Sequence, residues 1–523
     1  MKIKSFSRRQ GLFDFGLAGV SSAAVLFGVA HLVSVFFATA SAPLVAMGSI
    51  FIDMTPPWLK DLAISLFGTN DKLALFISMG IVVFLVSVSI GLLAKKSRVL
   101  ASGCIILLAI VIGAAILSRP ATSFADLTPL TIGTFTGLLT LRWLCTWAEK
   151  SREQIGDSTA KPGTSQGSTR RKFLLGAGLS LIGAAIAAGV GQSLAAARNI
   201  AEAARSALGL PIAKTPAAAL PSGVQIDLSG MPPFVTPNKD FYRIDTALSV
   251  PRINPDDWEL RIHGMVENEF TVSFNDLLEA ELVENYLTLT CVSNPVGGQL
   301  VGNAKWLGYP IRKLLERAVP QAGADMVLST SQDGFSASTP LEVLTDDRMS
   351  LLAIGMNDEP LPLEHGFPVR MVVPGLYGFV SATKWVVDLE VTRFADKVAY
   401  WSTRGWSDHG PIKLSSRVDV PRSFAKVSEG QVVMGGTAWA QTKGISGVQI
   451  QIDDGEWLDA ELGSEASLDT WRQWRYVWEG GTSGNHTVSV RAIDGQGKLQ
   501  TSDKAEPAPN GASGWQRVQF SVE

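Results

Sequence analysis

The segment LTLTCVSNPVGG, residues 287–298, sets one cysteine between an alternating apolar run and a Pro/Gly turn. The chain has three cysteines. Cys104 and Cys145 fall in apolar stretches of the first 150 residues, so Cys291 is alone in the more polar remainder. A solitary thiol can pair with another chain, sit buried as a small apolar residue, attack as a nucleophile, or bind a metal as its thiolate. Nucleophilic use needs a histidine base within reach. This half offers His263, His365, His409 and His486, none of them in a local Cys-His signature. A zinc site needs several nitrogen or sulfur ligands, and one cysteine with scattered histidines is a poor set. The residue types alone leave these fates open.

The elements that carry this thiol begin with its isolation. Formal net charge is −3 and the isoelectric point about 6.1, so bulk electrostatics point to no nucleic-acid partner. Mean hydropathy is +0.20, and the apolar excess is concentrated before residue 198. Five stretches reach the roughly 20 residues that span a bilayer as a helix: about 16–40, 73–94, 99–117, 127–147 and 173–197. Basic segments MKIKSFSRRQ, AKKSR and STRRKF fall on one side of this pattern. By the bias of Lys and Arg they are cytoplasmic, which sends residues 198–523 out of the cytoplasm. Residues 151–172 are then a cytoplasmic loop between a four-helix region, 1–150, and the fifth span. The stretch STRRKFLLGAGLSLIGAAIAAGVGQSLAAA (168–197) resembles a twin-arginine export signal. Such signals serve proteins exported already folded, often around a cofactor. Arg170 and Arg171 read equally as simple cytoplasmic anchors, and the AAA end as a cleavage site.

Residues 198–237 are rich in Ala, Pro, Ser and Gly and lack sustained periodicity, which predicts a linker. Ordered patterning starts near Phe241. WELRIHGMV and YLTLTCV alternate as strands, and YPIRKLLERA reads as a short amphipathic helix, so 238–417 is α+β. After about Val418 come short alternating runs broken by Gly/Asp turns: VVMGGTAWA, VQIQIDDGEW, WRQWRYVWEGG, HTVSVRAIDGQG and WQRVQFSVE. Their spacing predicts an immunoglobulin-like β-sandwich over 418–523.

Three fragments in order, LTCVSN, AKWLGYPIRKLL and NDEPLPLEHGFPVRMVVPGLYGFVSATKW, resemble the sulfite oxidase family of molybdopterin enzymes, and the likeness continues through the tail. The resemblance implies a multi-domain fold: a transmembrane α-helical part, an α+β molybdopterin-binding domain and an immunoglobulin-like domain of the kind that forms homodimers. It implies a molybdenum–molybdopterin cofactor with Cys291 as the thiolate ligand. A soft, deprotonated sulfur suits that metal. Phe241, Tyr242, Arg243, Ile244 and Asp245 match the family's pterin-holding segment, with Arg243 near the substrate oxyanion. His365, Arg370 and Lys384 match further cofactor contacts, whose donors suit a phosphate. Asp333 is an additional candidate, and Trp306 matches an aromatic wall of the active site.

The sequence departs from the family's sulfite-oxidising members at the anion site. They carry arginine soon after the ligand cysteine, where this chain has PVGG, and another before the final Trp, where it has PNGASGW. Their active-site tyrosine has no counterpart; Trp406 or Gly405 lies closest, and Tyr400 falls a few residues early. Losing two of three cations weakens an anion site by kcal/mol each, which argues against sulfite and for a less charged S- or N-oxide. Arg404 and Arg422 are the residues that could replace the charge. With no Cys-x-x-Cys-His and one membrane histidine, His31, a haem within the chain has no ligand set. The expected enzyme is therefore a membrane-anchored molybdenum oxidoreductase, periplasmic in orientation. Its expected partners are a small-molecule substrate, membrane lipid and a separate electron carrier. The competing class is a membrane-tethered binding protein without metal.

Overall fold

The computed structural model describes residues 2–37, 39–56, 59, 66, 71–119, 122–156, 166–197 and 200–523. The chain divides into two compact units: residues 1–199 with 247–251, and residues 200–246 with 252–523.

The first unit is helical: α1 Lys2–Ser34, α2 Pro43–Met54, α3 Asp71–Ala94, α4 Arg98–Leu117, α5 Thr128–Gly156 and α6 Gln166–Ala197. Among the described residues four helices are long and apolar enough to cross a membrane: Gly11–Ser34, Leu73–Ala94, Arg98–Leu117 and Thr169–Leu194. The expected fourth span, 127–147, forms as part of α5 but is not among them. Six threonines between Thr128 and Thr146, together with Arg142, dilute its apolar character. The first span ends at Ser34 rather than near residue 40, and the loop after it holds α2, at 12 residues too short to cross. The expected 151–172 loop shrinks between α5 and α6, and its centre, 157–165, lies outside the described residues, as does much of the loop after α2. Small residues let the helices approach closely. A side chain at Gly19 of α1 would lie 2.8 Å from the Gly91 nitrogen of α3, and one at Gly28 would lie 2.6 Å from the Ala184 carbonyl of α6.

The second unit holds two five-stranded sheets followed by a β-rich C-terminal region. The first sheet runs β2-β1-β10-β5-β6, from Phe270–Ser273, Glu259–Gly264, Val386–Thr392, Met326–Ser331 and Ser336–Pro340. The second runs β3-β4-β7-β8, from Val283–Thr290, Val301–Pro310, Leu351–Met356 and Glu359–Pro360, with β9, Arg370–Val372, on β7. The amphipathic reading of YPIRKLLERA holds as a helix at Ile311–Ala318, whose Ile311, Leu314, Leu315 and Ala318 are buried on one face. In β4 eight of ten residues are buried, because it lies between β3 and β7.

The C-terminal region pairs a sheet β11-β13-β17-β16 (Ser415–Val420, Gly430–Trp439, Arg472–Gly481, Glu461–Leu462) with a sheet β12-β19-β18-β14-β15 (Lys426–Val427, Gln516–Val522, Gly484–Asp494, Ile445–Ile452, Trp457–Asp459). Val432, Met434 and Trp474 from one and Ile450, Val490 and Phe520 from the other share a single apolar core. The Asp-Asp turn after β14 takes φ of 49° and 61° at Asp453 and Asp454, as the turn chemistry predicts. The first strand starts at Ser415, three residues before the expected boundary.

The segment expected to be a linker is instead a short helix, Ile200–Ala207, and a packed strap. Val224, Ile226 and Phe234 are buried. The Ile226 N–H donates to the Gln473 side chain at 2.7 Å and the Thr236 N–H to the Asn303 carbonyl at 2.8 Å. Three isolated apolar residues make no periodic signal, yet each fills a hole.

Candidate active site

Strands β3 and β4 pair in antiparallel register, Thr290 opposite Val301, and the ten residues between them form a loop that starts at Cys291. This register sets the thiol at the foot of a cleft. The walls of the cleft include Tyr242, Asp245, Cys291, His365, Arg370 and Lys384. Burial pushes the Cys291 thiol up, and hydrogen bonds from the Ser293 N–H and hydroxyl act the other way.

The basic side chains come from one compact stretch. His365 ends a 3-10 turn, Leu363–His365. Gly366 then takes φ +113°, and a side chain there would lie 3.0 Å from the Arg370 Cβ and 3.2 Å from the Lys384 Cβ. Arg370 and Lys384 face each other across a β-bridge. Lys384 donates through Nζ to Asp245 Oδ2 at 2.8 Å and to the Glu364 carbonyl at 3.0 Å. Burial lowers Lys384 to about 8, despite the Asp245 carboxylate. Burial lowers Arg370 to about 10; its guanidinium has only long bonds, 3.2–3.4 Å, to the carbonyls of Met371, His365 and Ala382. His365 donates from Nε2 to the Asn238 carbonyl at 3.2 Å. Burial, then Arg370 and Lys384, depress it to about 4, so it is neutral at pH 7.

Residues 241–245 cross the mouth of this cluster. The Phe241 ring meets the His365 ring edge-on at 5.7 Å and stacks on Tyr242 at 5.2 Å. Burial raises Tyr242 above the usual phenol range, with Cys291 adding to the effect. Ile244 and Asp245 line the cleft, as does Asp333, which accepts from the Thr246 hydroxyl at 3.2 Å.

Two expected site residues stand outside the cleft wall. Trp306 is fully buried on β4, where its N–H donates to the Leu287 carbonyl at 3.2 Å. It packs behind the site, 5.2 Å from the Arg370 guanidinium, because the inner face of β4 points into the core. Arg243 extends outward, nearly half-exposed, and touches the site through Nε on Asp245 at 2.9 Å. Neither Arg404 nor Arg422 lines the cleft; Arg404 lies over the Tyr400 ring at 3.6 Å. Trp406 does line it, joined by Phe335, Phe379, Trp385 and Trp401, which sequence reasoning missed. The only sequence signal for Trp401 is the dense aromatic run AYWSTRGW.

The donor set fits a molybdopterin group. Three nitrogen bases, His365, Arg370 and Lys384, are buried; Lys384 is paired with the Asp245 carboxylate, and Arg370 has no carboxylate ion-pair partner among the described residues. Buried charge of this kind is retained where a counter-charge binds. A pterin phosphate supplies that anion, and the Cys291 thiol supplies a soft ligand close by.

Comparison with known proteins agrees. Residues 247–401 match the family model described as oxidoreductase molybdopterin binding domain. An uncharacterised oxidoreductase, YuiH of Bacillus subtilis, is 31% identical over 153 residues, 29% of this chain and 74% of its own. The chain belongs to the sulfite oxidase family of molybdopterin oxidoreductases. Mitochondrial sulfite oxidase of Drosophila melanogaster is 30% identical over 285 residues, 45% of this chain and 48% of its own. The catalytic subunit MsrP of a Ralstonia nicotianae protein-methionine-sulfoxide reductase is 29% identical over 278 residues, 48% of this chain and 77% of its own. The chain thus spans about half the length of the first curated relatives it matches. The family's cofactor is molybdenum–molybdopterin. Cys291, His365, Arg370 and Lys384 fall inside the matched domain, while the 241–245 segment and Trp406 fall outside it.

Proposed function

We propose that this chain is a membrane-anchored molybdenum oxidoreductase that reduces a neutral S-oxide outside the cytoplasm. One observation carries the substrate class. The cleft that holds Cys291 is also lined by Phe335, Phe379, Trp385, Trp401 and Trp406, and its bases are the three clustered at the cofactor positions. An aromatic wall favours an apolar, uncharged group, and sulfite, a dianion, finds no further cation there. The MsrP likeness supports the same chemistry.

In this reading Cys291 is the metal ligand, and His365, Arg370, Lys384 and residues 241–245 hold the pterin. The bound group supplies a two-electron couple that accepts an oxygen atom. The protein's residues do the rest. The aromatic wall orients the sulfur substituents and excludes water. Tyr242 stays protonated and lines the cleft, so its hydroxyl can donate to the substrate oxygen. The balance is sulfoxide plus two protons and two electrons to thioether and water, and the electrons come from a separate carrier. The β-rich tail is immunoglobulin-like, and the apolar helices anchor the chain, with α6 serving as a retained or cleaved export signal.

The test is purification of the full chain from a molybdopterin-competent host, metal analysis, and a screen in both directions. About one molybdenum per chain is expected, with viologen-coupled reduction of alkyl and aryl sulfoxides. Sulfite oxidation at a higher kcat/KM than any S-oxide reduction would overturn the substrate assignment. A chain without molybdenum would favour the binding-protein reading.

A further inference from the structure

The loop that carries Cys291 is closed at its neck by its own domain. The Cys291 N–H donates to the Leu300 carbonyl at 2.9 Å, and Asn294 Oδ1 accepts from the Leu300 N–H at 2.8 Å. Its outer turn is held from elsewhere. Arg417, on β11 of the C-terminal region, is buried and donates from Nη1 to the Gly298 carbonyl at 3.0 Å. The guanidinium lies 5.7 Å from the Trp471 ring. Its Nε meets Asp419 Oδ1 at 2.8 Å, an ion pair off hydrogen-bond alignment, and Asp419 Oδ2 accepts from the Thr437 hydroxyl at 3.1 Å.

Gly297, beside it, takes φ +76°, and a side chain there would reach within 2.5 Å of the Gln516 amide. Gln516 is fixed in turn by accepting from the Val418 N–H at 2.7 Å. The strand leading into the cysteine is gripped by the same domain. Gln441 donates to the Thr288 carbonyl at 2.8 Å and to the Thr290 hydroxyl at 3.2 Å, and the Trp471 N–H donates to the Thr288 hydroxyl at 2.8 Å.

We infer that Arg417 is a positioning residue for Cys291, through which the C-terminal β-region sets the place of the thiol. A guanidinium alone has the rigid fork that serves Asp419 and a carbonyl in different directions; an ammonium matches the charge but not the fork. Burying such a cation is costly unless each arm is used, and the arm that reaches Gly298 is the one that leaves its own domain. Glycine at 297 gives the loop its turn and lets the sandwich approach, and glycine at 298 leaves room for Asn294 and Pro295 within the loop. The inference rests on the assignment of Cys291 as the metal ligand for its catalytic meaning, but its geometry stands without metal.

The experiment measures peptide-resolved alkylation of Cys291 in the full chain made in a host without molybdopterin synthesis. Mass spectrometry separates Cys291 from Cys104 and Cys145. Arg417→Met and Arg417→Lys should both accelerate alkylation by about tenfold to a hundredfold, the factor by which loss of a charge-assisted hydrogen bond raises local opening. Val522→Ala, which weakens the sandwich core at the far end of the strand from Gln516, should leave the rate within about twofold of wild type, since a stable domain opens locally rather than as a whole. In holoenzyme, Arg417→Lys should also change the Mo(V) EPR g-values. Equal alkylation in wild type and both Arg417 variants overturns the proposal, as does acceleration by Val522→Ala as large as theirs. Wild-type protein without molybdenum overturns the ligand assignment instead, and is read independently of the alkylation rates.

Discussion

Asp245→Asn tests the electrostatics of the cofactor cradle. The Asp245 carboxylate is 4% exposed and accepts from Lys384 Nζ at 2.8 Å, and the lysine side chain is 9% exposed. Lys384 is already lowered from 10.5 to about 8, which at about 1.36 kcal/mol per pH unit disfavours its buried ammonium by about 3 kcal/mol. Without the carboxylate its pKa falls further, toward the range of about 5–6 known for buried lysines. The amine then escapes by losing its proton, and that escape bounds the damage. At pH 9 the lysine is neutral in folded wild type and variant alike, so the charge term vanishes. At pH 7 the bound is about 5 kcal/mol against the existing 3, a loss of about 1–2. At pH 6 it is about 6 against 3, a loss of about 3. The sign follows from a folded pKa depressed below the unfolded one: the unfolded chain holds the extra proton, so stability falls as pH drops from about 10.5 to the folded pKa, which is about 8 in wild type and lower in the variant, and the variant's penalty relative to wild type therefore grows only below about pH 8. Urea unfolding of the cofactor-free chain in detergent, followed by tryptophan fluorescence at pH 6, 7.5 and 9, measures the difference. Adding Lys384→Met should remove the pH dependence. A variant penalty that is the same at pH 6 and pH 9 would refute the reasoning.

Other expectations follow from the same geometry. Cys291→Ala should leave the melting temperature within a few degrees, since it trims one small buried side chain, while molybdenum content and turnover fall to background. Arg370→Met should stabilise the cofactor-free chain by about 1–3 kcal/mol, because it removes a buried cation without a carboxylate partner; cofactor content in the purified enzyme should drop in parallel. Trp406→Ala should raise KM for aryl sulfoxides by about tenfold or more with little change for dimethyl sulfoxide, since a large aromatic contact is lost. Lowering pH from 7 toward 4 should destabilise the cofactor-free chain through His365, whose pKa is held at about 4 against 6.5 unfolded; that loss should be absent in His365→Gln.

Much of this was legible in the sequence because it is local. Strand alternation in WELRIHGMV and YLTLTCV and the Gly/Asp turns of the tail are short-range patterns, and they read correctly, as do four of the five apolar helix lengths. The α5 helix shows the limit: its length reads as a span, but its threonines do not. The strap at 208–237 shows another, since Val224, Ile226 and Phe234 are ordinary residues in an aperiodic run until the holes they fill exist.

The sequence by itself determined that a lone thiol follows an alternating run in the less apolar part of the chain, that bases at 365, 370 and 384 lie close along the chain, and that the residues directly after Cys291 carry no cation. Only the tertiary structure decided which side chains share the cleft. It turned Trp306 into the core, because β4 presents one face inward, and Arg243 outward, while the other four residues of 241–245 line the cleft. It brought Trp401 and Trp406 into the same cleft as the thiol over more than a hundred residues of chain. It also set Arg417 on the Gly298 carbonyl, 119 positions away. A contact across that distance depends on how two domains pack, and packing is decided by complementary surfaces that no local period in the sequence records.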